Sequence, residues 1–166
     1  MTDTLQTLMD RMPQVGDVKW IGVRPAVHAA IEVLEQVEAD TTQGLIGDRY
    51  AGRSGKRHVT LIQWEHLSVV ASVLGRARVD PALLRRNIAV AGINLLALKD
   101  KRFHVGGAIL EFTDLCHPCS FMEEALGPGG YNAMRGHGGI TARVVHSGVI
   151  RLGDRISVVP PLNEAM

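Results

Sequence analysis

The chain has 166 residues, with 18 Lys and Arg against 17 Asp and Glu, a formal charge of +1, and only two cysteines. This length suits one domain with a core of its own, needing no disulfide or metal staples. The near-neutral balance supplies no general field for nucleic acid or an acidic membrane surface, so any recognition of anions has to be local.

Residues Leu5 to Met12 predict a short helix stopped by Pro13. The N-terminal stretch from Met1 to Met12 carries charges and no apolar core of signal-peptide length, and no segment of the chain approaches a membrane span. A cytoplasmic location with reduced thiols is therefore expected. Asp17 to Val23 reads as a strand. Ile31 to Val37, rich in β-branched residues, is also read as one strand, followed by a turn-rich stretch from Thr41 to Gly55. His58 to Ile62 alternates, with Val59 and Leu61 on one face and His58 and Thr60 on the other. Trp64, Leu67, Val70, Ala71 and Leu74 then recur at helical spacing until Gly75, the clearest helix in the sequence.

Residues 81 to 86 predict a short helix. Asn87 to Val90, Phe103 to Val105, Ala108 to Thr113, Ile140 to Val145 and Arg155 to Val159 are runs of strand type separated by Gly, Pro, Asn or Asp. Many short strands with few helices predict a mainly β, α+β domain built on a barrel or sandwich, without the regular βαβ alternation of a doubly wound fold. Six glycines between Gly127 and Gly139 predict a loop. It is either a set of turns or a backbone N–H cradle for an anion, and it matches neither common phosphate-binding glycine pattern.

Both cysteines lie in Cys116-His117-Pro118-Cys119, between the strand ending near Thr113 and a helical pattern from Phe121 to Leu126. A strand-to-helix junction offers free backbone N–H groups and favours a thiolate. A disulfide across so short a loop would contribute little, and the sequence lacks the spaced histidine pair of a zinc finger. Burial of either sulfur as a small hydrophobe is the competing reading. A thiol–disulfide oxidoreductase is a further alternative, since C-x-x-C at a helix start resembles the thioredoxin arrangement, but the βαβ order is missing. Asp48, after Gly47, is expected to organise its turn through an Asx-type bond.

Several blocks taken in order resemble the MOSC domain, the fold of the C-terminal part of molybdenum-cofactor sulfurases, also found in stand-alone bacterial proteins. They are Gly44-Leu45-Ile46-Gly47-Asp48-Arg49-Tyr50-Ala51-Gly52, Arg57-His58-Val59-Thr60-Leu61-Ile62, and Leu84-Arg85-Arg86-Asn87-Ile88-Ala89-Val90-Ala91-Gly92-Ile93. The cysteine turn follows, then Gly138-Gly139-Ile140-Thr141-Ala142-Arg143-Val144 and the stretch from Gly148 to Asp154. A single MOSC domain over residues 1–166 is expected, with a family-like core from about 15 to 160.

The resemblance implies a MOSC-type β-barrel and a cysteine that ligates molybdenum or carries sulfur. By its place in the motif this is Cys119, with Cys116 second. A thiolate suits both chemistries, as a ligand for a soft centre and as an acceptor of sulfane sulfur. The molybdenum cofactor is a pterin dithiolene with a terminal phosphate, for which Arg49, Arg57, Arg85 and Arg143 are candidate partners. Asn87 would donate to an oxo ligand or a pterin edge, or else cap the helix at 81 to 86. His58 would join the same pocket as a catalytic group, or be a hydrogen-bonded structural residue. His117 would tune the sulfur or stand in solvent.

Two functions follow from the resemblance. One is a molybdenum-dependent oxidoreductase that reduces N-hydroxylated bases or related N–O compounds, with electrons from a separate reductase. The other is a sulfur carrier whose Cys119 persulfide comes from a pyridoxal-phosphate-dependent desulfurase; no pyridoxal-phosphate site is evident in this chain. Partners are then a small-molecule substrate and one of those enzymes, with neither nucleic acid nor membrane, and the oligomeric state is open. A barrel that binds a small anion without turnover is the remaining alternative.

Overall fold

The computed structural model describes residues 2–49 and 54–161. Eleven strands and four α-helices are present among them. A helix, α1 (Leu5–Asp10), precedes β1 (Gly16–Val23), and β2 (Glu32–Leu34), β3 (Gln36–Asp40) and β4 (Gly44–Leu45) follow. Next come β5 (Val59–Gln63), α2 (Trp64–Val73), β6 (Ile88–Ala91), β7 (Arg102–Val105) and β8 (Ala108–Leu115). The chain continues through α3 (Ser120–Leu126), α4 (Gly130–Met134), β9 (Ile140–His146), β10 (Gly148–Arg151) and β11 (Arg155–Val158).

Seven strands close a barrel in the order β11-β7-β8-β9-β5-β6-β1, because β1 pairs with both β6 and β11. Only β5 and β6 are parallel neighbours; their crossover is made by α2 and a 3-10 turn over Pro81–Leu84. Closure removes free edges from those seven strands. All five residues of β5 are buried, since one face looks into the barrel and the other lies under α2. Two apolar clusters result. Ile21, Leu61, Ile88, Phe103 and Leu110 are among those that fill the barrel, while Ile62, Val70, Leu84, Met122 and Met134 are among those that pack the helices onto its outer face. The mainly β MOSC-type barrel expected from the sequence is the architecture found.

Several elements differ from the sequence reading. Ile31 to Val37 is two strands: β2 extends from β1, whereas β3 joins β10 and β4 in a separate three-stranded sheet. The break falls at Glu35, whose carbonyl accepts from Leu152 N. Composition cannot reveal such a change of sheet, because both halves remain extended. α1 ends two residues before the expected Met12. Residues Pro81–Leu84 form a 3-10 turn closed by Arg85 in the left-handed conformation, so Asn87 caps no helix there. The glycine-rich stretch includes α4, whose first turn is closed by the Glu123 carboxylate accepting from Gly129 N and Tyr131 N at 3.2 and 3.0 Å. Those N–H groups hold Glu123 below the ordinary carboxylate range and are therefore not a vacant anion cradle.

Candidate functional site

The pairing register aligns Leu115, Ile140, Leu61, Ile88 and Ile21 as successive partners around the barrel. The residues flanking this level meet at one rim. Cys116 follows Leu115 and donates its N–H to Gly139 O at 2.8 Å. Arg86 and Asn87 precede Ile88, and Arg24 follows Val23 at the end of β1. Gly138 allows a close approach here, since a Cβ there would overlap the carbonyl oxygen of Cys116.

A cavity of about 440 Å³ opens on this rim. Among the described residues, Cys116, Cys119, His28, His117 and Phe121 line it, together with five arginines, Arg24, Arg49, Arg57, Arg85 and Arg86, and no carboxylate. The arginines form a gradient: Arg49 and Arg57 are exposed at the mouth, Arg24 and Arg85 are half-buried, and Arg86 is buried. In a protein of charge +1 this concentration is the local anion field that the overall composition lacks.

The two thiols are not equivalent. Cys119 is exposed and is the N-cap residue of α3, with extended backbone, while Cys116 is 3 % exposed and belongs to the packed turn. The turn thus lies at the strand-to-helix junction expected from the sequence, with its second sulfur presented to the cavity.

Each arginine is held differently. Arg24 donates from Nη2 to Asp48 Oδ2 at 3.0 Å and from Nε to Asp48 Oδ1 at 3.2 Å. Arg85 donates to Ala29 O at 2.8 Å, with its Cζ 5.6 Å from the centre of the Phe121 ring, a cation–π contact. Arg86 donates from Nε to Gly138 O and from Nη1 to Leu84 O, both at 2.8 Å. Burial pushes its pKa below the ordinary arginine value, opposed by the neighbouring Cys116 and Cys119 and reinforced by Arg57 and Arg24.

Two of the three non-glycine residues with positive φ among the described residues, His28 at 58° and Arg85 at 55°, line this same cavity. Strained backbone of this kind persists only where surrounding contacts hold it, and it gathers at functional sites. Arg85 supplies one such contact by bonding the carbonyl that follows His28.

The candidates drawn from the sequence separate into two groups. Arg49, Arg57, Arg85, Cys116 and Cys119 meet in the cavity. Asn87, His58 and Arg143 are not among its lining residues. Asn87 is fully buried beneath it: Oδ1 accepts from Thr60 N and Oγ1, and Nδ2 donates to Gly22 O and Asp48 Oδ1. His58 accepts from Val144 N at 3.2 Å through Nδ1. Its pKa is lowered by burial and then by Arg143, outweighing Asp40 and a backbone bond at Thr42. Arg143 lies on β9 between Glu111 Oε1 at 3.4 Å and Ser54 O at 3.3 Å. The carboxylate of Asp48, fully enclosed, serves Arg24 and Asn87, while the Asx-type bond expected of it would involve Tyr50 N, which lies outside the described residues. Tyr50, Ala51 and Gly52 of the first family-like block lie outside the described residues.

Arg24, His28, Arg86 and Phe121 complete the cavity and were not among the candidates. Arg86 carried a readable signal, standing beside Arg85 at the entrance to a fully apolar strand. Arg24 and His28 sit in a loop with no chemical pattern, and only the meeting of β1 with β6 brings them to the cysteines.

No curated protein sequence matches this chain. Among solved structures it is similar to the YuaD protein from Bacillus subtilis, with 20% identity and a TM-score of 0.75 over 89% of this chain and 98% of that one. YiiM from Geobacillus stearothermophilus superposes with a TM-score of 0.70 at 17% identity, covering 87% of this chain and 75% of that one. For YiiM from Escherichia coli the values are 0.67 and 16%, over 88% and 71%. At these identities the likeness establishes the fold. The MOSC domain family model matches residues 26–157, which include every residue of the cavity apart from Arg24, and the chain belongs to the MOSC domain family.

Proposed function

We propose that this chain binds the molybdenum cofactor in the arginine-lined cavity and acts as an oxidoreductase on N-hydroxylated bases or related N–O compounds. The observation that carries this reading is one exposed thiol, Cys119, in a cavity lined by five arginines and, among the described residues, no carboxylate. The donor set fits the group. A thiolate is the side chain suited to a soft metal centre, guanidinium forks suit a phosphate, and Arg86 Nη2 is a buried donor without a partner among the described residues.

Cys119 would hold the metal, and Arg49, Arg57 and Arg85 the anionic end of the cofactor. When bound, the cofactor supplies two-electron oxygen-atom transfer. The rest falls to the protein. Phe121, with Arg85 against its ring, gives a flat apolar and cationic wall for a planar base. His28 and His117 line the cavity and are its proton-carrying side chains. Reduction of R–NHOH to R–NH₂ takes up two electrons and two protons and releases water. With only two cysteines the chain has no ligand set for an iron–sulfur cluster. Electrons are therefore assigned to a separate reductase.

The exposure of Cys119 favours a second reading, a sulfur carrier loaded by a pyridoxal-phosphate-dependent desulfurase, since a transferred sulfane sulfur needs a thiolate that another protein can reach. One experiment separates the two. Protein made in a host that synthesises the cofactor is analysed for molybdenum, pterin and persulfide, then supplied with a one-electron donor and a hydroxylaminopurine. Stoichiometric molybdenum with aminopurine formation that disappears in Cys119→Ser supports the reductase. Persulfide on Cys119 without metal replaces it with the carrier, and turnover by metal-free protein refutes it.

A further inference from the structure

We propose that Arg86 makes the floor of this cavity an anion subsite in its own right, selecting an oxyanion or carboxylate group at the end of a ligand that reaches Cys119. This goes beyond the cofactor reading, because the subsite belongs to the chain without any bound group.

Arg86 is 7 % exposed, and two of its three nitrogens are committed to the carbonyls of Gly138 and Leu84. The third, Nη2, is the one buried side-chain nitrogen or oxygen with no partner among the described residues. Buried polar groups are normally paired, and leaving a donor unsatisfied is costly, so a dry free N–H on a residue that lines a cavity is a place kept for a ligand atom. The other arginines are occupied or wet: Arg24 by Asp48, Arg85 by Ala29 and Phe121, Arg49 and Arg57 by exposure at the mouth.

The position is pre-set. Bonds at Nε and Nη1 fix the plane of the guanidinium, so Nη2 gains an acceptor without loss of side-chain freedom. Gly138 brings this group and the cysteine turn together: a Cβ there would overlap Cys116 O and stand 3.4 Å from Arg86 Nη2. With no carboxylate lining the cavity among the described residues, the acceptor is assigned to the ligand.

The test compares two alkylating reagents on the full-length, cofactor-free chain. Iodoacetate and iodoacetamide react alike: Cys119 sulfur forms a bond to the methylene carbon, the C–I bond breaks, iodide leaves with the electron pair, and the thiol proton goes to buffer. Since the same sulfur attacks both, its own reactivity cancels in the ratio of rates, measured at Cys119 by peptide mass spectrometry. One charge-assisted hydrogen bond predicts an iodoacetate-to-iodoacetamide ratio about tenfold above that of the urea-unfolded chain, falling by about tenfold in Arg86→Gln and by less than about threefold in Arg78→Gln, an exposed arginine outside the cavity. A native ratio equal to the unfolded one overturns the proposal. An equal fall in both variants overturns it too, by showing a diffuse field. Should Arg86→Gln not fold, inorganic phosphate decides on the wild type. Saturable slowing of iodoacetate at constant ionic strength supports the subsite, and slowing no greater than that by chloride refutes it.

Discussion

Asn87 Nδ2 donates to Asp48 Oδ1 across 3.2 Å, which ties the start of β6 to the turn before Arg49. Asp48 in turn holds Arg24 at the end of β1, and Asn87 also bonds Thr60 on β5 and Gly22 on β1. One buried amide therefore joins three barrel strands to two of the cavity's arginine-bearing segments. Asn87 is a framework residue through which the arginines are positioned.

Replacing Asn87 by Ala should accordingly cost both stability and anion affinity. Stranding the partners of a buried amide costs about 2–4 kcal/mol, at roughly 1–3 kcal/mol for each unsatisfied group. Urea denaturation reads this directly. Arg78→Ala, exposed and outside this network, should by contrast leave the urea midpoint close to wild type; an Asn87→Ala protein of unchanged stability would show that the network is replaced by water.

The two cysteines should separate by accessibility. A neutral maleimide should label Cys119 in the native chain and Cys116 only after unfolding, since Cys116 is 3 % exposed. Cys119→Ser should abolish native labelling, and with it molybdenum or persulfide loading, at little cost to the fold. Cys116→Ser should keep loading but lose about 1–3 kcal/mol, the cost of enclosing a hydroxyl without a partner. Native labelling of both residues at equal rates would contradict this arrangement.

For the cofactor or a phosphorylated fragment of it, Arg57→Ala and Arg85→Ala should each weaken binding by about one to two decades, the value of a charge-assisted hydrogen bond to an anion. Arg78→Ala, exposed and outside the cavity, should have no effect. Equilibrium dialysis of the cofactor-free chain measures this, and equal affinities across the three variants would remove both arginines from the site.

Stability should fall on mild acidification through His58 and His66. Both titrate below the ordinary histidine value, chiefly because burial disfavours the charged ring, with Arg143 adding to the effect at His58 and His137 at His66. The unfolded chain then takes up protons more readily than the folded one, so their stabilising contribution is complete above about pH 6.5 and is lost progressively as pH falls toward the folded values. At His58 a proton on Nδ1 would also displace the bond from Val144 N. The urea midpoint should be lower at pH 5.5 than at pH 8, with a smaller drop in His58→Gln. A drop of the same size in that variant would assign the effect elsewhere.

The sequence by itself determined the strand-rich class, most strand positions, the α2 helix, the family, and the junction that carries the cysteines. These follow from local signals, namely alternation, helical spacing, punctuation by glycine and proline, and ordered motif blocks. Tertiary structure decided which polar residues share a space. Arg49, Arg57 and Arg85 meet Cys119, while Asn87 and His58 are spent inside the framework and Arg143 pairs with Glu111. Arg24 and Arg86, 62 residues apart in sequence, reach one cavity because β1 pairs with β6 at Ile21 and Ile88. The physical reason is that a closed barrel brings together residues distant in sequence through register, and register depends on all seven strands at once.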